Sequence, residues 1–110
     1  MANELNFTGT FWRGPAGPPL EGASLPTAAT IAVTHPIHEI TGTTQVDLIT
    51  MPFTGFRGMV LLKPTGAAAL TSGGTASGNS KPIKVTYTTV ANRPIWLYCD
   101  GDFWYPMAIA

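Results

Sequence analysis

The chain has 110 residues, zero formal net charge and charged side chains at only 11% of positions, less than half the roughly 25% of an average globular protein. Its length suits one domain with one core, and its sparse charge excludes the dense basic stripe of a nucleic-acid binder. No apolar run approaches the ~20 residues that cross a bilayer. MANELNF is no secretory signal, and a single cysteine makes no internal disulfide. A soluble protein made in a cytoplasm is expected, binding neither nucleic acid nor membrane.

Residues 1–28 read as an extended arm. NFTGTFWRGPAGPPLEGASLPTA sets Pro15, Pro18, Pro19 and Pro26 among glycines and follows neither a helical nor a strand period. Proline removes ladder donors and biases the backbone towards polyproline-like extension. The same stretch carries Phe7, Phe11, Trp12, Leu20 and Leu25, side chains that a solvated tail avoids. Such an arm is laid over its own domain or over a neighbour. Phe7, Phe11, Trp12, Arg13 and Leu20 are its expected binding residues.

Residues 29–110 read as one β domain. ATIAV (29–33), IHEIT (37–41), QVDLITM (45–51), RGMVLLK (57–63), IKVTYTTV (83–90), IWLYC (95–99) and DFWY (102–105) are short branched or aromatic runs separated by turn residues, a strand pattern. The spacing predicts an all-β fold: a jelly-roll-like antiparallel sandwich or barrel. AAAL (67–70) is too short for more than a helical turn. The polar stretch TSGGTASGNSK (71–81) is expected to be a mobile loop.

The chain closes on WLYCDGDFWYP (96–106). Asp-Gly between apolar runs is a strong type I′ hairpin signal. A turn at Asp100-Gly101 pairs Cys99 with Asp102, Tyr98 with Phe103, Leu97 with Trp104 and Trp96 with Tyr105. One face then carries Trp96, Tyr98, Phe103 and Tyr105, and the other Ile95, Leu97 and Trp104. Both faces are apolar, so both need a cover. One is the core; the other is the arm or another subunit. Trp96, Tyr98, Phe103, Trp104 and Tyr105 are therefore the candidates for self-association or core packing.

The chemistry-bearing residues form no convincing catalytic set. Cys99 sits in an apolar strand beside two acids, where a nucleophilic thiol needs a base and positive surroundings. Asp100 and Asp102 lack the further oxygen ligands of a calcium loop. His35 and His38 stand three apart on what reads as a strand, facing opposite ways, with no third nitrogen or sulfur ligand for zinc. The loop serines lack a nucleophile elbow, nothing marks Glu39 and Asp47 as a glycosidase pair, and no glycine loop precedes a helix to hold phosphate. No enzyme activity, metal or cofactor is expected. From Leu48 to Cys99 the charges are all basic (Arg57, Lys63, Lys81, Lys84, Arg93), while Glu4, Glu21, Glu39 and Asp47 come earlier. These five basic residues are expected to face an acidic protein surface.

Residues 37–106 resemble a module of tailed-bacteriophage structural proteins. The resemblance is carried by Ile40-Thr41-Gly42-Thr43, the Phe53–Gly58 segment, Leu62-Lys63-Pro64-Thr65-Gly66, Gly73-Gly74 and the Tyr98–Pro106 hairpin. It leaves the arm unmatched, and Cys99 and Asp102 depart from the usual hairpin. The module occurs in capsid decoration (cement) proteins of short-tailed phages and in tail fibres. A fibre carries it at the end of a longer chain with a shaft, so 110 residues without heptads or repeats favour the decoration protein.

The resemblance implies a virion protein on the outer capsid surface, made in the bacterial host cytoplasm. Its partners would be the major capsid protein and itself, as a dimer or trimer. It would clamp neighbouring capsid subunits against the pressure of packed DNA, many modest contacts acting together on the assembled shell. The alternative is a tail-fibre or head-fibre module that binds host carbohydrate, with Trp96, Trp104 and Tyr105 stacking on sugar rings in an exposed groove.

Overall fold

A computed structural model of the chain describes residues 20–107. Among these residues every regular element is a strand. In chain order they are β1 (Leu25–Pro26), β2 (Thr30–Ala32), β3 (Ile37–Thr41), β4 (Leu48–Thr50), β5 (Gly58–Pro64), β6 (Ala69–Leu70), β7 (Ser80–Pro82), β8 (Tyr87–Thr88), β9 (Ile95–Cys99) and β10 (Trp104–Met107).

Three open sheets result: β1-β3-β5-β9-β10, β2-β4-β7 and the small pair β6-β8. The chain alternates between the two larger sheets from β1 to β5, so strands that neighbour one another within a sheet run the same way. β1 with β3, β3 with β5, and β2 with β4 are parallel pairs. This corrects the expected antiparallel arrangement: both larger sheets are mixed. The return to antiparallel comes where β5 meets β9 and β9 meets β10. An isolated bridge from Ile83 to Trp104 ties the end of β7 to the edge strand β10.

One core lies between the sheets, built by period-2 alternation. In β3 His38 and Ile40 point inward; in β5 Val60, Leu62 and Pro64; in β9 Ile95, Leu97 and Cys99. Ile31, Val33, Ile49 and Met51 approach from the second sheet, and Val46, Leu70 and Ile83 close the cluster. A one-residue slip would turn each set outward, so burial of one face holds the register. Trp104 is fully buried, and its Nε1–H donates to the Ile49 carbonyl at 2.9 Å. That bond joins the first sheet to the second.

Parts of the expected arm and of the expected mobile loop are built into the sheets. The backbone of Glu21 bridges to Ile37, and β1 lies on β3, so residues 21–26 of the expected arm run along the sheet edge. Pro26 is tolerated there because an edge strand can spare a donor. Within 71–81, Ser77 and Ser80 exchange backbone hydrogen bonds of 2.9 Å around a turn, and Ser80 begins β7.

Candidate interaction surface

The closing hairpin differs from its predicted register by two residues. Cys99 pairs with Trp104, Tyr98 with Tyr105, Leu97 with Pro106, and Trp96 with Met107. The cause is Asp100. Its Oδ1 accepts the N–H groups of Asp102 and Phe103 at 2.8 and 2.9 Å, and its Oδ2 accepts the Tyr105 hydroxyl at 3.0 Å. This side-chain cap builds a four-residue loop over 100–103, with Gly101 at φ 99°, in place of a two-residue turn. A shift of two preserves the faces but drops Phe103 from the ladder into the loop. There the Lys84 ammonium sits 4.2 Å from its ring centroid.

The Asp102 and Phe103 N–H groups, more than the Tyr105 hydroxyl, hold the Asp100 carboxyl below its ordinary 3.8. The side-chain bonds from Thr71 and Gln45 lower Asp47 in the same way. A carboxyl whose folded pKa is depressed stabilises the fold above its ordinary value and loses that contribution as pH falls through the folded value. The wild-type melting temperature is therefore expected to drop as pH goes from about 5 to about 2. Asp100→Asn should flatten part of that drop. Equal slopes for the two proteins in a thermal-melt series would show that the cap does not act this way.

The outer face of the first sheet is the main surface feature. Reading across the strands, it carries Ile37 and Glu39 from β3, Met59, Leu61 and Lys63 from β5, Trp96 and Tyr98 from β9, and Tyr105 and Met107 from β10. The registers place Ile37 beside Leu61, Leu61 beside Trp96, and Met59 beside Tyr98. Ile37, Met59, Leu61, Trp96 and Tyr105 are half-buried, while Tyr98 and Met107 are exposed at 37% and 47%. The outer face of an exposed sheet is ordinarily polar; on this one the polar aliphatic positions are Glu39, Thr41 and Lys63, at one end of β3 and β5. Tyr98 and Tyr105 lie with centroids 6.3 Å apart. A smaller apolar spot is Phe53, 60% exposed, edge-on to Phe56 at 5.4 Å.

The five predicted hairpin aromatics therefore separate. Trp104 belongs to the core, Trp96, Tyr98 and Tyr105 to the outer face, and Phe103 to the loop. Ile37, Met59, Leu61 and Met107 complete the surface and were not singled out in the sequence. The signal for Met59 and Leu61 was that both alternating sets in the middle of RGMVLLK are apolar; Ile37 and Met107 had no such signal. Of the predicted arm residues, Leu20 is half-buried; Phe7, Phe11, Trp12 and Arg13 lie outside the described residues.

The basic residues fall in two places. Arg57 lies beside Gly101, Lys84 over Phe103, and Lys81 in β7, around the loop that carries Asp100 and Asp102. Lys63 and Arg93 are at the opposite end of the first sheet, and Lys63 Nζ pairs with Glu21 at 2.6 Å. Cys99 is buried, which pushes its thiol up; the Gly101 N–H and Lys81 oppose that shift and the charges of Asp100 and Asp102 add to it.

His35 and His38 come together, contrary to the opposite-face expectation, with ring centroids 5.7 Å apart. His35 sits in the bend before β3, where strand alternation does not apply. His38 is fully buried and held on both nitrogens. Nε2 accepts the Thr34 and His35 N–H groups at 2.9 and 3.0 Å, which leaves the proton on Nδ1 to be donated to the Ala23 carbonyl at 2.8 Å. The ring pins residue 23 to the sheet edge. Among the described residues no three His, Cys, Asp or Glu side chains converge as metal ligands.

No family model, curated protein or solved structure matches the chain.

Proposed function

We propose that the chain is a small capsid decoration protein of a tailed phage. It binds the outer surface of an assembled head and bridges neighbouring major capsid subunits against the pressure of packed DNA. The observation that carries this reading is the apolar outer face spanning β3, β5, β9 and β10. Contiguous apolar surface of that kind marks a protein interaction site, and a domain of zero net charge has little repulsion to keep partners away. The likeness of residues 37–106 to the phage module supplies the kind of partner.

In this reading the two layered sheets form the rigid block. The arm, with Phe7, Phe11, Trp12 and Arg13, gives reach over a neighbouring subunit, and the outer sheet face offers a route to a dimer or trimer. The carbohydrate-binding alternative loses one of its three stacking rings, because Trp104 is enclosed in the core.

The first test is copy number, by quantitative mass spectrometry of purified virions of the phage that encodes the chain. About one copy, or about one-third, per major capsid subunit supports shell-wide decoration acting by multivalency; a handful per particle overturns it. A second prediction concerns Leu61→Lys on the outer face. It should leave the fold intact at a cost of about 1 kcal/mol, because Leu61 is half-buried between Ile37 and Trp96. Head occupancy at limiting protein should fall about tenfold or more, as for the loss of a central interface anchor. Unchanged occupancy would remove the outer face from the capsid contact.

A further inference from the structure

An open sheet has two edges, and a row of unpaired N–H and C=O groups along an edge is a template for another strand. Of the four edges of the two larger sheets, three carry a proline whose main chain points away from the sheet. In β1 the Thr27 N–H donates to the Thr41 carbonyl, so Leu25 and Thr27 face β3 and Pro26 faces outward. In β7 the Met51 N–H donates to the Asn79 carbonyl, so Ser80 and Pro82 face outward, and Ser80 is already bonded to Ser77. In β10 the Trp104 carbonyl accepts the Lys84 N–H, and Pro106 is the next residue on that side. Proline has no N–H to offer an incoming strand. These three edges are blunted.

The fourth edge, β2, is not. It pairs with β4 in parallel, with Thr30 beside Leu48, Ile31 beside Ile49 and Ala32 beside Thr50. The Leu48 N–H donates to the Ala29 carbonyl at 3.0 Å, and the Val33 N–H to the Thr50 carbonyl at 3.1 Å. The direction of the main-chain groups alternates along a strand. Ala29, Ile31 and Val33 therefore face β4, while Thr30 and Ala32 turn their N–H and C=O groups to the open edge. Both are exposed, with Ile31 buried between them. Among the described residues none bonds to these outward groups. The run from Ala28 to Thr34 holds no proline, glycine or charged residue, so it lacks the features that ordinarily protect an edge.

We infer that β2 is a self-association site, at which two copies of this chain join their β2 edges antiparallel about a two-fold axis at Ile31. The two three-stranded sheets then become one continuous sheet. In that register Thr30 of one protomer lies opposite Ala32 of its partner, and each pair exchanges main-chain hydrogen bonds in both directions. A two-fold contact uses the same patch on both subunits, so one chain supplies both halves. A second β2 is also the occupant that fits the seat best. It is already extended and bonded to β4, so pairing costs little backbone freedom, whereas an unstructured peptide must first be ordered. The strand carries no charge to meet a like charge across the axis, and the chain has zero net charge. A contact this short belongs to the small end of specific interfaces, so monomer and dimer should exchange. Because β2 lies in the second sheet, the apolar outer face of the first stays open on both protomers. The inference concerns the isolated chain and does not rest on the capsid reading.

The test is the association state of the full-length chain. Ala32→Pro removes only the outward donor and leaves the bonds to β4 in place, so it should fold with a melting temperature near that of the wild type. In sedimentation equilibrium over a concentration series the wild type should pass from monomer to dimer, and Ala32→Pro should associate about tenfold or more weakly. The outer-face variant Leu61→Lys is run alongside. Amide exchange in the wild type gives a readout that needs no variant. The Thr30 and Ala32 amides should be protected in concentrated solution and unprotected in dilute solution, while Ile31 is protected in both. Equal association of the wild type and Ala32→Pro overturns the inference. So does association lost in Leu61→Lys but kept in Ala32→Pro, which would move the contact to the outer face. A wild-type chain that stays monomeric, with exchange at Thr30 and Ala32 independent of concentration, overturns it as well.

Discussion

Replacing Trp104 by alanine is expected to cost about 3–5 kcal/mol, the range for removing a buried large aromatic. The total stability of a domain this size is on the order of 5–15 kcal/mol, so the variant should sit near the edge of unfolding. The size of the effect comes from position. The ring is fully buried, tilts against Phe56 at 6.0 Å between centroids, and donates to the Ile49 carbonyl of the other sheet. Its own backbone carbonyl accepts the Lys84 N–H at 2.8 Å. Trp104→Phe keeps most of the ring and loses the cross-sheet bond, for which about 1–2 kcal/mol is expected. Tyr98→Ala, only six positions away in the loop-closed hairpin but on the outer face, should cost within about 1 kcal/mol. Urea unfolding followed by circular dichroism would rank the three. A Trp104→Ala cost no larger than that of Tyr98→Ala would mean that the sheets are not held together at this residue.

The contrast between Trp104 and Tyr98 shows what alternation reveals and what it leaves open. The strands IHEIT and IWLYC lie at residues 37–41 and 95–99, as their pattern predicts, because alternating burial is a local property. Which neighbour a strand pairs with is not local. The parallel pairs arise because the chain crosses to the other sheet between β1 and β3 and again between β3 and β5. The turn residues that mark those crossings are the same types that mark hairpins. The hairpin register failed for a related reason: the Asp-Gly signal concerns backbone φ, whereas here the Asp100 carboxylate satisfies two loop N–H groups and selects the longer loop. Even so, the even shift preserved the face assignments of Trp96, Tyr98, Trp104 and Tyr105.

The outer face was half legible. An apolar second face on the hairpin follows from its sequence alone, but its extension to Ile37 and Leu61 needs β3 and β5 to lie alongside in their observed registers. The parallel winding achieves this. It brings the edge strand β1, the central strands and the hairpin into one sheet. In an all-antiparallel order the same residues need not have met.

His38 holds the chain that leads into β1, and the second large effect is expected there. His38→Phe keeps a ring of similar volume but cannot accept the Thr34 and His35 N–H groups or donate to Ala23. Partly buried groups left without partners cost about 1–3 kcal/mol each where water cannot replace the bond, and a total of about 2–4 kcal/mol is expected here. Gly22 reports on the same packing from the other side. A Cβ on residue 22 would stand 2.5 Å from both His35 Nδ1 and His38 Cε1, and overpacking of this kind costs about 1–3 kcal/mol. The His38 ring cannot yield without breaking its bonds, so the two sites should couple. In a double-mutant cycle, Gly22→Ala should be markedly less costly in a His38→Ala background than in the wild type. Additive costs would mean that the added methyl is resisted by His35 and that the His38 ring gives way to it. Coupled costs would make His38 the rivet that fixes the chain at Ala23 to the sheet edge.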